Sequence, residues 1–136
     1  MQALQRILYV DDQQDILEIG KLALETLGGL TVTTCATAAE ALALARDPGA
    51  VPDLIVMDFS LPDIDGASLL ELLHQQSGWD RVLAVFSTAH GPEDLPGRLD
   101  GAGVIGQVRK PFDPLELAVR LRELWSAHHG GAQGAA

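Results

Sequence analysis

The chain has 136 residues and a formal net charge of −10, with 47% hydrophobic and 21% charged residues. That length suits one domain able to bury about two-thirds of its unfolded surface without disulfide or metal staples. The acidic balance excludes a nucleic-acid backbone binder, which needs clustered Lys and Arg. The longest stretch free of Asp, Glu, Lys and Arg, Thr26–Ala39, is too short and too rich in Thr and Gly to span a bilayer.

The segment Met1–Asp11 has no positive region leading into an apolar core, so no secretion signal is read there and the cytoplasm is the expected compartment. Ile7–Val10 is the first of five short runs rich in Val, Ile and Leu. After it, Ile16, Leu17, Leu22, Leu24 and Leu27 mark a helix that Gly28-Gly29 ends. Leu30–Thr34 is the second run, and Cys35 beside it, the single cysteine, reads as a small core residue. Ala39–Arg46 gives a second helix, closed by Pro48-Gly49. The third run is Leu54–Met57, followed by a helix marked by Leu69, Leu70, Leu72 and Leu73, with Asp65 as its N-cap and Gly78 near its end. Val82–Phe86 is the fourth run. The helical segment after it, Glu93–Asp100, is interrupted by Pro96-Gly97. Val104–Val108 is the fifth, and Asp113-Pro114 opens a last helix marked by Leu115, Leu117, Leu121, Leu124 and Trp125. Residues 128–136, little but Gly and Ala after a His pair, are expected to form a flexible tail, leaving 1–127 as one domain.

Continuous apolar runs are strands buried on both faces, and helices alternating with them imply βαβ units. The expected fold is therefore α/β: a three-layer (βα)5 sandwich around a doubly wound parallel five-stranded sheet. In such sheets ligands bind beyond the carboxyl ends of the strands. Asp11-Asp12 follows the first strand, Asp58 the third, Ser87-Thr88 the fourth, and Arg109-Lys110-Pro111 the fifth. Taken singly, each has a structural reading as cap, turn or solvated loop residue. Asp63, Asp65 and Gly66 keep that reading. Four of five strands delivering carboxylates, hydroxyls and an ammonium to one edge point instead to a common site.

Crowded carboxylates repel, so a cation should neutralise them. Oxygen-only donors with open positions suit Mg²⁺, a lysine supplies positive charge for a phosphoryl oxygen, and a hydroxyl supplies a hydrogen bond. Carboxylate nucleophile, metal and lysine together describe an aspartyl-phosphate site. His74, His90, His128 and His129 show no metal-ligand pattern and read as solvated or loop residues; Trp79 and Trp125 read as packing residues.

At these residues the sequence resembles the receiver domain of two-component response regulators, the CheY-like, flavodoxin-like fold. The resemblance covers roughly Arg6–Ala127. It rests on Asp11-Asp12, Leu54-Ile55-Val56-Met57-Asp58, Leu61-Pro62-Asp63-Ile64-Asp65-Gly66, Ser87-Thr88-Ala89 and Lys110-Pro111-Phe112. Thr88 lies thirty residues after Asp58 and Lys110 fifty-two, the family spacing. The resemblance implies strand order 2-1-3-4-5. It implies that Asp58 accepts a phosphoryl group from a phosphohistidine on a sensor histidine kinase or histidine phosphotransfer protein. Asp12, Asp58 and the Ser60 backbone carbonyl would hold Mg²⁺, with Asp11 acting chiefly through a metal-bound water. Lys110 would pair with the phosphoryl group or the free carboxylate, and Thr88 would swing its hydroxyl to report phosphorylation to a downstream protein. Ser60 and His90 occupy the positions that gate the attacking water and so tune the lifetime of the phosphoryl group.

Two departures accompany the resemblance. Gln107 stands three residues before Lys110, where the family usually carries an aromatic, and Pro96-Gly97 interrupts the fourth helical segment. A phosphorylation-independent interaction module is the alternative that Gln107 favours. An aspartyl-phosphate phosphohydrolase would need a second acid two residues after the nucleophile, where Ser60 stands. No nucleic-acid or membrane partner is expected.

Overall fold

The five apolar runs become the five strands of one parallel sheet in a computed structural model that describes residues 3–88, 103–110 and 112–134. They are β1 (Arg6–Val10), β2 (Thr31–Cys35), β3 (Leu54–Asp58), β4 (Leu83–Thr88) and β5 (Val104–Arg109), in the order β2-β1-β3-β4-β5. Strands β3, β4 and β5 extend past their apolar runs, so Asp58, Ser87, Thr88 and Arg109 are part of the hydrogen-bonded sheet. Central β3 is buried at every position, while edge strand β2 alternates exposed and buried residues, as neighbours on both sides or on one side dictate.

Among the described residues the α-helices are α1 (Gln14–Thr26), α2 (Ala38–Leu44), α3 (Gly66–His74) and α4 (Pro114–Gly134). Local chemistry sets their ends. Gly29, at φ 66°, turns the chain out of α1, with Gly28 and Leu30 amides donating to the Leu24 carbonyl. Thr37 and Glu40 cap α2 reciprocally: the Thr37 hydroxyl oxygen accepts from the Glu40 amide at 3.1 Å and the hydroxyl donates to the Glu40 carboxylate at 3.2 Å. The Asp65 carboxylate caps α3 through the Ser68 amide at 2.7 Å, as the sequence predicts, and Asp113 accepts from Leu115 at 2.9 Å to open α4.

The sheet separates two cores. On one side Leu8, Val10, Ile55, Met57 and Phe86 pack with Ala41 of α2 and Leu69, Leu70 and Leu73 of α3. On the other, Ile7, Tyr9, Leu54, Val56 and Val85 pack with Leu17 and Leu24 of α1 and Leu117, Leu121 and Trp125 of α4. This is the expected three-layer sandwich. Cys35 is buried, as its core reading requires.

Three expectations change. α4 continues past Ala127 to Gly134, where the sequence reads as a loose tail. His129 explains the continuation: its Nδ1 lies 2.9 Å from the Trp125 carbonyl and its ring centroid 4.3 Å from the Trp125 ring, which carries the helix across the position where glycines begin. His74 is not on the open surface of α3; it is half-buried, with Nε2 2.9 Å from the Val82 carbonyl. His129 is likewise half-buried rather than solvated. Residues 93–100, with Pro96-Gly97, lie outside the described residues, as do His90 and Pro111. Among the described residues no helix is long and apolar enough to cross a membrane.

Candidate functional site

The carboxyl ends of β1, β3, β4 and β5 converge through the ladder that forms them. The Asp11 amide donates to the Cys35 carbonyl at 3.1 Å, which extends the β1–β2 pairing one residue beyond the strand and fixes where Asp11 sits. At the other seam, the Phe59 amide donates to Ser87 O at 3.1 Å and the Lys110 amide to Thr88 O at 2.7 Å. Alternation along β3 puts Leu54, Val56 and Asp58 on one face, the face of Tyr9 and the α1/α4 core.

Asp11 is wholly buried, Asp58 is 8% exposed and Asp12 lies open to solvent. Their carboxylate oxygens lie within 4.8 Å of one another. The Lys110 ammonium bridges two of them, 2.7 Å from Asp11 Oδ2 and 3.1 Å from Asp58 Oδ2. The other oxygen of each is also engaged: Asp11 Oδ1 accepts from the Gln13 amide at 2.9 Å, and Asp58 Oδ1 from the Ser60 amide at 3.0 Å. Ser60 is held in place by that bond and by an isolated antiparallel bridge to Asp65.

Burial pushes the Asp11 carboxyl above the usual carboxylate range, and the charge of Asp58 adds to it; the bonds from Lys110 and Gln13 offset only part. For Lys110 the balance goes the other way. Burial opposes its charge, but hydrogen bonds to Asp11 and Asp58 outweigh it and hold the ammonium above its ordinary value. The Tyr9 hydroxyl is raised too, by burial first and then by Asp11 and Asp58. Asp11, Asp12 and Asp58 form an all-oxygen donor set of the kind a hard divalent ion requires, so the residues present fit Mg²⁺.

The sequence-selected residues Asp11, Asp12, Asp58 and Lys110 therefore meet, with Ser60 at the rim and buried Thr88 at the end of β4. Gln107 pairs in register with Phe86, on the sheet face that also carries Thr88. Its side chain is half-buried, and its Oε1 is buried with no hydrogen-bond partner. Sequence reasoning passed over Tyr9 and took Ser87 only as part of the Ser87-Thr88 strand end. Both are buried with hydroxyls lacking a hydrogen-bond partner, on the same sheet face as Asp58. Tyr9 stands two residues before Asp11, so strand alternation alone could have singled it out as a neighbour of the acids. Gly66 was read only as turn chemistry. A Cβ there would meet Phe86 Cε1 at 2.6 Å and the Asp58 carbonyl at 3.0 Å, so the loop after β3 closes only over a glycine.

Known proteins resemble this chain in sequence and in fold. The chain is 34% identical over 119 residues to the transcriptional regulatory protein PrrA of Mycobacterium tuberculosis, a match covering 88% of this chain and 49% of that protein. The chain thus spans about half the length of the curated relatives first matched, 49% in that case. Among solved structures, the chemotaxis response regulator CheY4 of Vibrio cholerae superposes with a TM-score of 0.78 at 26% identity, covering 90% of this chain and 99% of that one. A CheY-like receiver domain protein of Methanospirillum hungatei gives 0.76 at 30% identity, covering 94% and 99%. The response regulator receiver domain family matches residues 7–122. With the acids, the lysine and the strand order all in place, the chain belongs to that family and is a receiver domain of two-component signal transduction.

Proposed function

We propose that Asp58 is the phosphoacceptor of a two-component phosphorelay, taking its phosphoryl group from a histidine kinase or a histidine phosphotransfer protein in the cytoplasm. The observation that carries this reading is the meeting of Asp58 with Asp11, Asp12 and Lys110 at the sheet edge. An oxygen of the Asp58 carboxylate attacks the phosphorus of the donor phosphoimidazole; the P–O bond forms as the P–N bond breaks, and the freed imidazole nitrogen takes up a proton. Bound Mg²⁺ would neutralise the charge gathering on the transferring phosphoryl oxygens. Asp11, Asp12, Asp58 and the Ser60 backbone carbonyl would hold it. The Ser60 amide aims the carboxylate by fixing Oδ1, and the Lys110 ammonium, already at Oδ2, follows the new negative charge. Thr88 offers its hydroxyl to a phosphoryl oxygen and carries the change into β4. Ser60 and His90 flank the path of water and tune how long the acyl phosphate lasts. Water then cleaves it and resets the chain, which is its own substrate and not a turnover enzyme. The receiver occupies 1–127 in this reading.

Intact mass after incubation with acetyl phosphate, with and without Mg²⁺, tests the assignment. One metal-dependent phosphoryl addition in the wild type, absent in Asp58→Asn, is expected. No addition in either protein moves the reading to a module that binds its partner without phosphorylation. The partnerless Gln107 Oε1 favours that second reading, because an amide does not supply the apolar burial of an aromatic at this position.

A further inference from the structure

The opposite edge of the sheet, where the strands begin, holds a cavity of about 440 Å³, within the roughly 300–1,000 Å³ typical of small-molecule sites. Arg6, the first residue of β1, and Arg81, just ahead of β4, both line it. Two guanidiniums at one concavity are notable in a chain of net charge −10. Among the described residues the wall carries one carboxylate, Asp53, whose Oδ2 accepts from the Gln5 amide at 3.0 Å and the Arg6 amide at 2.9 Å. Arg6 is held by its Nη2 donating to the Gly49 carbonyl at 2.9 Å, which uses one of its five N–H groups. The Arg81 side chain is 94% exposed, with Asp80 at 4.0 Å, a separation that holds it loosely.

The remaining wall includes two rings, Trp125 at 6% exposure and the half-buried His129. The Trp125 and His129 rings lie against each other with centroids 4.3 Å apart and planes tilted 39°, and both line the cavity beside Pro52 and Leu83. This wall exists because α4 continues through His129. The half-buried His129 ring offers a face to a planar body, and the two guanidiniums match the two charges of a phosphate monoester. We propose that this cavity is a second ligand site, remote from Asp58, for a small planar phosphomonoester of mononucleotide size. It does not depend on Asp58 being phosphorylated.

The test is a ¹⁵N NMR titration of the whole chain in metal-free buffer with adenosine 5′-monophosphate, adenosine and inorganic phosphate. Saturable shifts at the Trp125 indole N–H and at the Arg6 and Arg81 guanidinium signals are expected with the monophosphate. Adenosine and inorganic phosphate should each bind about tenfold or more weakly, since each lacks one of the two recognised parts. Arg81→Gln, at a side chain too exposed to affect folding, should weaken the monophosphate about tenfold, whereas Arg109→Gln at the other end of the sheet should leave it unchanged. No saturable shift at the Trp125 indole up to about 10 mM overturns the proposal. So does an equal loss in the Arg81 and Arg109 variants, which would mean nonspecific attraction of charge.

Discussion

The Lys110 ammonium lies closer to Asp11 (2.7 Å) than to Asp58 (3.1 Å). The lysine is thus the internal counterion of both buried acids, and it sits among the same oxygens that a divalent ion would use. A divalent ion bound there would compete with the ammonium for one set of carboxylates.

Lys110→Met should therefore act oppositely with and without metal. In metal-free buffer, removing the cation leaves two adjoining carboxylates uncompensated and should cost about 2–4 kcal/mol of stability. Added Mg²⁺ should restore most of that loss, and bind the variant more tightly than the wild type. Urea unfolding with and without Mg²⁺ measures both; equal loss in the two buffers would show that the lysine acts through its backbone or packing.

Cys35 supplies a pH dependence whose sign is fixed. Burial, and then the charge of Glu40, push its thiol from 9.0 up to about 11. Above pH 9.0 the unfolded chain loses this proton while the folded chain keeps it, so stability falls as pH rises through the window up to about 11. The contribution is on the order of 2 kcal/mol. Cys35→Ala should lack this component, seen as a smaller fall between pH 9 and 11 by denaturant unfolding, and the native thiol should react slowly with iodoacetamide at pH 8.

Gly66→Ala should damage the site through the loop alone. The new methyl meets the Phe86 ring at 2.6 Å and the backbone of Asp58 and Phe59 at 3.0 Å. A loss of about 1–3 kcal/mol is expected, together with slower acetyl phosphate labelling of Asp58. Wild-type stability in the thermal melt would mean that the β3–α3 loop shifts freely, and that its position does not govern the carboxylate.

Gln107→Leu should stabilise the unphosphorylated protein. It removes a buried acceptor that has no partner while keeping similar volume, a gain of about 1 kcal/mol. A lower melting temperature would indicate that the amide makes bonds in solution that outweigh the burial of its oxygen.

The fold was legible because β1, β3 and β4 are largely apolar over lengths too short for a helix, and several helix ends carry their own chemistry, such as Asp65 with Ser68 and Gly29 at positive φ. Asp11, Asp58 and Lys110 were legible from their places at strand ends. Pairing geometry was not: nothing in the spacing says that Lys110 lies nearer Asp11 than Asp58, because sequence separation carries no side-chain distances. The helix past Ala127 escaped notice because composition weighs Gly130 and Gly131 and does not see the Trp125–His129 contact that precedes them.

Lys110 is fastened at both its ends. Its amide closes the last rung between β4 and β5 on the Thr88 carbonyl, and its ammonium is tethered to the acids. The side chain is therefore a rigid strut from the charge centre to the outer seam of the sheet. Under the proposed phosphorylation of Asp58, a pull on the ammonium would reach that rung directly, which would make the β4–β5 margin the place where a change of charge becomes a change of shape.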